Sequence, residues 1–241
     1  MISQPYVGSI ELKREQIESF DAYPFSLPAI RSLDRLELHP AVTFFVGENG
    51  SGKSTLLEAL ALSCGFNAEG GSKNFNFATR ESHSQLHWFL QVARGHPRPR
   101  TGYFFRAESF FNVATEVETL GVGSSYGQRS LHEQSHGESF LALVLNRFSG
   151  DGLYLLDEPE AALSPQRQLA VMTRMHDLVR QKSQFIIATH SPILMAYPEA
   201  WIYQFSTDGI ERVAYEDTEH YRVTRNFLAN PERTLRILFE E

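Results

Sequence analysis

Residues Gly47 to Ser54 read GENGSGKS and satisfy the pattern Gly-x-x-x-x-Gly-Lys-Ser/Thr at every fixed position. In such a turn the glycines let successive backbone N–H groups curl around phosphate oxygens, and a following helix N-terminus adds partial positive charge. Lys53 can reach β- and γ-phosphates, and the Ser54 hydroxyl can ligate a magnesium ion. Gly47, Glu48, Asn49, Gly50, Ser51, Gly52, Lys53, Ser54 and Thr55 are therefore the expected phosphate cradle. About a hundred residues later, GLYLLDEPE ends an apolar run in Asp157 and Glu158. Cleaving a γ-phosphate needs an in-line water and a carboxylate that orients or deprotonates it. Two adjacent acids can divide the work, with Asp157 facing the metal and Glu158 the water. A third run, Ala188-Thr189-His190-Ser191, sets His190 33 positions after Asp157. A histidine at a strand end can hydrogen-bond a γ-phosphate; alone it reads more readily as an ordinary strand-end side chain.

These residues need elements to hold them. AVTFFVG (41–47) reads as a buried strand entering the glycine turn, and TLLEALALSCGF continues as a helix, the context that the phosphate-loop pattern requires. VGSIELK (7–13) alternates as an edge strand of a half-exposed sheet. Leu86, Phe89, Leu90 and Ala93 recur at helical spacing, YFFRAE reads as a strand, and ESFFNVATEVETLG reads as a helix ending at Gly121. GVGSSYGQRS is a Gly/Ser-rich connection. Phe140, Leu141, Val144, Leu145 and Phe148 fall on one helix face. GLYLLDEPE and SQFIIATHS are expected as buried strands with an amphipathic helix over about 165–182 between them. Residues 201–215 suggest a hairpin turning at Thr207-Asp208-Gly209, and NPERTLRILFEE a terminal helix. Strands alternating with helices indicate an α/β fold with a largely parallel sheet.

Between the two chemical runs lies HEQSHGES (132–139). Taken with the other motifs it makes the chain resemble the ATP-binding-cassette class of P-loop ATPases. Ser135-His136-Gly137-Glu138 stands where that class carries its signature motif, and Ala161-Ala162-Leu163-Ser164 stands where its D-loop follows the acidic strand. The resemblance runs over roughly residues 35–195 with its motifs in order. It implies a P-loop NTPase fold of ABC-ATPase type: a mostly parallel sheet, antiparallel edge strands and a small helical lid at about 65–134, in one domain over 1–241. It further implies ATP and Mg²⁺ as ligands, and a homodimer formed on ATP, in which Ser135 and Gly137 of one copy meet the nucleotide of the other. A capped helix start, with Ser135 as N-cap and Glu138 at its third position, is the plain physical reading of the same residues. Transporter cassettes usually carry Leu-Ser-Gly-Gly-Gln; here Gln134 precedes the serine, His136 replaces a glycine and Glu138 the glutamine. Those departures look more like SMC, RecF and OLD-type ATPases of chromosome maintenance and phage defence, and like small stand-alone AAA or ABC-like ATPases. A transporter's nucleotide-binding subunit is the alternative. No clear Q-loop glutamine is present; Glu108 lies nearest, with Arg106 beside it, and the two read first as a salt bridge, with nucleotide sensing by either the alternative. Tyr23 and Phe25 are candidates to stack on adenine, with a core or loop role the competing one.

The 241 residues carry a formal charge of −7, which disfavours a general nucleic-acid coat. ARGHPRPR, with Arg94, His96, Arg98 and Arg100, is the local candidate for contact with DNA, and otherwise a solvated basic loop. One cysteine, Cys64, excludes an internal disulfide and suits a reducing cytoplasm as a buried small side chain. No apolar run approaches the ~18 residues of a membrane span. No heptad run of SMC length fits between phosphate loop and signature, and about fifty residues after His190 leave no room for an OLD-type nuclease, so the output is expected to pass to DNA, to a separate effector protein or to something unidentified.

Overall fold

The computed structural model describes residues 4–72, 84–109 and 136–239. Three strands are buried at every position: Val42–Gly47 (β3), Gly152–Asp157 (β6) and Gln184–Ala188 (β7). Near-continuous burial is what a strand inside a parallel sheet covered on both faces requires. They form the centre of a six-stranded sheet of order β5-β6-β7-β3-β8-β9, completed by Thr101–Arg106 (β5), Trp201–Ser206 (β8) and Gly209–Val213 (β9). All neighbours pair parallel except β8 and β9, an antiparallel hairpin turning at the expected Thr207-Asp208-Gly209.

The two-residue alternation of strands divides the core. Phe45, Leu155 and Ile186 face helix Lys53–Ser63 (α2), against Leu56, Leu57 and Leu60. Phe44, Leu156 and Ile187 face the other way, toward Phe140 and Val144 of His136–Arg147 (α3) and Val171, Met175 and Leu178 of Pro165–Arg180 (α4). The second core is rich in rings: Phe105 meets Phe140 at 4.1 Å, and Phe148 stacks on Tyr154 at 4.1 Å. Outside α2 lies a second, antiparallel sheet of order β2-β1-β4, made of Val7–Leu12 (β1), Arg35–Glu37 (β2) and Leu90–Arg94 (β4). Helix α2 is thus enclosed between two sheets, which is why it is apolar on nearly all sides. Short helices Pro28–Ser32 (α1) and Pro192–Met195 (α5), then Glu219–Ala229 (α6) and Pro231–Leu238 (α7), complete the described elements.

Two local expectations are corrected. β1 is the middle strand of its sheet, because β2 and β4 both pair with it. The helical spacing at Leu86–Ala93 is divided between a 3-10 turn over Gln85–Phe89 and the extended β4. Leu86 and Phe89 are one 3-10 turn apart, whereas Leu90 and Val92 alternate into the core opposite β1. The expected helix after Glu108, the Gly/Ser-rich connection and Ser135 lie outside the described residues.

Candidate nucleotide site

The registers of the central sheet set the site before any loop is considered. Arg106 pairs with Asp157, and Asp157 and Phe45 both pair with Ala188, so these positions share one row at the carboxyl edge. In open α/β sheets ligands bind in the crevice beyond that edge. β3 leaves it through the glycine turn. Gly47 has φ +139°, and a Cβ there would lie 2.2 Å from the Phe205 carbonyl oxygen, so only glycine fits. Gly52, also left-handed, begins α2 without a side-chain cap, which leaves first-turn N–H groups to an outside acceptor. Lys53 is buried, and its Nζ donates to the carbonyl oxygens of Gly47 and Glu48, each at 2.8 Å. An ammonium has three N–H donors, so one remains for a phosphate oxygen. Burial holds the Lys53 pKa below its usual value, while Glu158, Asp157 and Glu160 pull it upward.

Across from the loop, Ser54 Oγ donates to Asp157 Oδ1 at 2.8 Å. Burial pushes the Asp157 pKa up to about 6, with the Ser54 bond and the Arg106 guanidinium opposing it. Arg106 itself is pinned by Glu58 on α2 and lies 3.9 Å from Asp157 Oδ2. It also reaches Glu108 at 3.8 Å, so the pair nearest a Q-loop position is a salt bridge, as expected from the sequence. Glu158 follows in the left-handed region (φ 49°, ψ 51°), its N–H donating to Ala188 O at 2.9 Å. That bend turns its side chain toward His190, whose Nε2 lies 3.5 Å from Glu158 Oε1. Glu160 Oε1 accepts the His190 backbone N–H at 2.5 Å, and His190 Nδ1 lies 2.9 Å from His220 Nε2 on α6. The Ser54 hydroxyl and Asp157 carboxylate are hard oxygen donors side by side. They suit Mg²⁺, which takes one or two protein oxygens and fills its shell with phosphate and water. Among the described residues no cluster of three or more His, Cys, Asp or Glu offers an all-protein metal cage.

Lys53, Ser54, Asp157, Glu158 and His190 are therefore brought together. Tyr23 is exposed, its hydroxyl 3.3 Å from Thr55 Oγ1, at the start of α2 where a base bound beyond the phosphates could stack. Phe25 is not available for that: it is buried, edge-on to Phe89 at 5.0 Å. Of the signature residues, Gly137 is buried in the first turn of α3, and Glu138 pairs with Arg167 of α4 at 3.0 Å. In the basic loop, Arg94 donates to the Ser63 carbonyl and Arg100 lies 3.8 Å from Asp151; His96 and Arg98 are exposed. Sequence reasoning missed Glu160 and His220. Glu160 was within sight, two residues beyond Glu158. His220 carries no local signal, being thirty positions from the histidine it touches.

Two families match the chain. One, described as "AAA domain", covers residues 16–136, half of its length; another, described as "AAA domain, putative AbiEii toxin, Type IV TA system", covers residues 123–196. A curated relative, the ABC transporter G family member STR2 of Medicago truncatula, is 27% identical over 175 residues. That match takes in 63% of this chain and 24% of the relative, so the chain spans about a quarter of that protein's length. Among solved structures, an SMC head bound to the C-terminal winged-helix domain of ScpA overlays with a TM-score of 0.47 and 15% identity, covering 87% of this chain and 98% of that one. The cbiO1 subunit of the Clostridium perfringens ABC transporter complex cbiONQ overlays with a TM-score of 0.46 and 16% identity, covering 87% and 91%.

Proposed function

The chain belongs to the AAA-domain family, and from that premise we propose that it is a P-loop ATPase of the ABC and SMC class that binds Mg·ATP at the glycine turn and hydrolyses it. The observation that carries the reading is the Ser54–Asp157 bond beside Lys53, with Glu158 and His190 at the same sheet edge. Gly47 to Thr55 cradle the phosphates through backbone N–H groups, and Lys53 gives its third N–H to them. Ser54 and Asp157 would hold Mg²⁺, which would supply charge neutralisation at the phosphates. Glu158 orients the attacking water and accepts its proton. His190 donates Nε2–H toward the γ-phosphate, with Glu158 as its other acceptor. The Ser54 hydrogen bond, and then Arg106 locked by Glu58, oppose the burial that favours the neutral form of Asp157.

In this reading the site is half of a shared one. Ser135 and Gly137 serve the nucleotide of a second copy, so ATP joins two chains and loss of the γ-phosphate releases them. The output is placed in DNA maintenance or phage defence. The departures of the signature from the transporter form support that placement, as does the AbiEii toxin and type IV TA system named for the family matching residues 123–196. A transporter's nucleotide-binding subunit is the second reading, favoured by the transporter relative. Stoichiometric co-purification with an integral membrane protein would select it.

Steady-state turnover tests the proposal. Glu158→Gln should lower kcat by about 10²–10⁴-fold, the range for a positioned acid/base, without loss of ATP binding. Lys53→Ala should remove binding or turnover. Unchanged kcat in Glu158→Gln would overturn the assignment of the base, and normal activity in Lys53→Ala would overturn the site.

A further inference from the structure

His190 faces two groups, and together they fix where its proton sits. Nε2 lies 3.5 Å from the Glu158 carboxylate and has no hydrogen-bond partner among the described residues. Nδ1 lies 2.9 Å from His220 Nε2. A neutral imidazole carries one N–H and one lone pair. A lone pair on Nε2 would point at the negative charge of Glu158, so the proton belongs on Nε2. Nδ1 is then an acceptor, and His220 Nε2 must carry the donating proton. The lone pair left on His220 Nδ1 has no hydrogen-bond partner among the described residues, and an unmet acceptor costs less than an unmet N–H. Both rings are neutral near pH 7: burial holds each below its usual pKa, and the Lys53 ammonium adds to the effect.

The start of α6 is built to hold His220 there. Thr218, fully buried, caps the helix by accepting from Tyr221 N at 3.3 Å and donates to Tyr215 O at 2.8 Å. Tyr215 in turn donates its hydroxyl proton to Pro192 O at 2.9 Å, two residues beyond His190. Glu48, Asn49, His190, Glu219 and His220 line one cleft of about 510 Å³ beside the glycine turn. Helix α6 therefore reaches the phosphate end of the site, with His220 as its contact to His190.

We propose that His220 is a positioning residue that holds His190 as the Nε2–H tautomer, so that hydrolysis depends on the docking of α6. The proposal rests on the ATPase reading above. A metal-bound histidine uses an outer partner in the same way, and losing such a partner costs about 10–100-fold.

The test is steady-state kinetics on the full chain with two substitutions. His220→Phe keeps the bulk but has no donor; His220→Gln keeps an N–H donor at the corresponding place in the side chain. His220→Phe should lower kcat about 10–100-fold with KM for ATP within about twofold, and His220→Gln should restore most of it. Wild-type kcat in His220→Phe, or a glutamine variant as slow as the phenylalanine one, would overturn the proposal. Nitrogen-15 shifts of the imidazoles give a second readout that needs no turnover. The proposal requires His190 to be Nε2–H in the wild type and to lose that preference in His220→Phe; an Nδ1–H wild type overturns it. Absent wild-type turnover would sink the ATPase reading, and the tautomer would still decide the role of His220.

Discussion

At the scale of single residues, the protein relies on histidines used as acceptors. His39 precedes β3, and its Nδ1 accepts the backbone N–H groups of Ala41 (3.1 Å) and Val42 (3.2 Å). It therefore orders the entry to the strand that ends in the glycine turn. Protonating Nδ1 would turn that acceptor into a donor facing two donors. Burial holds the His39 pKa below its usual value, and the Arg212 guanidinium, seated over Trp201 beside it, adds to this against a smaller pull from Glu199. The sign of the pH dependence follows. With a folded pKa below the unfolded value of about 6.5, the unfolded chain binds more protons between the two, so stability falls as pH drops through that window and is full above it. Urea unfolding should show a midpoint that declines as the pH is lowered from 7.5 through 6 toward 5. His39→Asn, whose Oδ1 accepts like Nδ1 but does not titrate, should flatten part of the decline. An unchanged slope in that variant would mean His39 contributes nothing to it.

Between elements, the least expected joint is Gln184. It is fully buried at the start of β7, and its side chain bridges the two sheets: Oε1 accepts from Tyr6 N (2.9 Å) and Val7 N (3.0 Å), while Nε2 donates to Val7 O (2.9 Å) and His39 O (3.0 Å). Gln184→Leu keeps the volume and strands four backbone groups, each costing about 1–3 kcal/mol if it stays dry. A loss of about 3 kcal/mol or more in unfolding free energy is expected; a loss below about 1 kcal/mol would mean the outer sheet opens to water at little cost. Gln184 also marks what the sequence could tell. Strands such as FFV and LYLL were legible because both faces are buried, and the phosphate-loop and acidic motifs because their chemistry is local. The place of β1 was not legible, since the strand that makes it central, β4, arrives about eighty residues later and was disguised by a 3-10 turn with helical spacing. For the same reason Glu158 and His190 could be read from the ends of their strands, whereas His220 could not: its role depends on how a helix outside the central sheet is docked.

For the whole molecule the decisive matter is whether one copy is enough. Gly137 lies in the first turn of α3, whose Glu138 is bound to Arg167 of α4, so the described part of the signature is fastened to the helices on the face of the sheet opposite α2. In the proposed shared site, such a signature serves the nucleotide of a second copy. Glu158→Gln protein should therefore shift from monomer mass to dimer mass on adding Mg·ATP, and Ser135→Arg in the same background should abolish the shift. The dependence on ATP is the essential readout, because α6 and α7 expose Val223, Leu228, Ile237 and Leu238, and apolar side chains in such number could associate with no nucleotide at all. A dimer that forms without ATP and ignores Ser135→Arg would assign self-association to those helices. No dimer in Glu158→Gln with ATP bound would leave the signature as a capped helix start and overturn the shared site. A shift that needs ATP and is abolished by Ser135→Arg is the outcome expected of a nucleotide held between two chains.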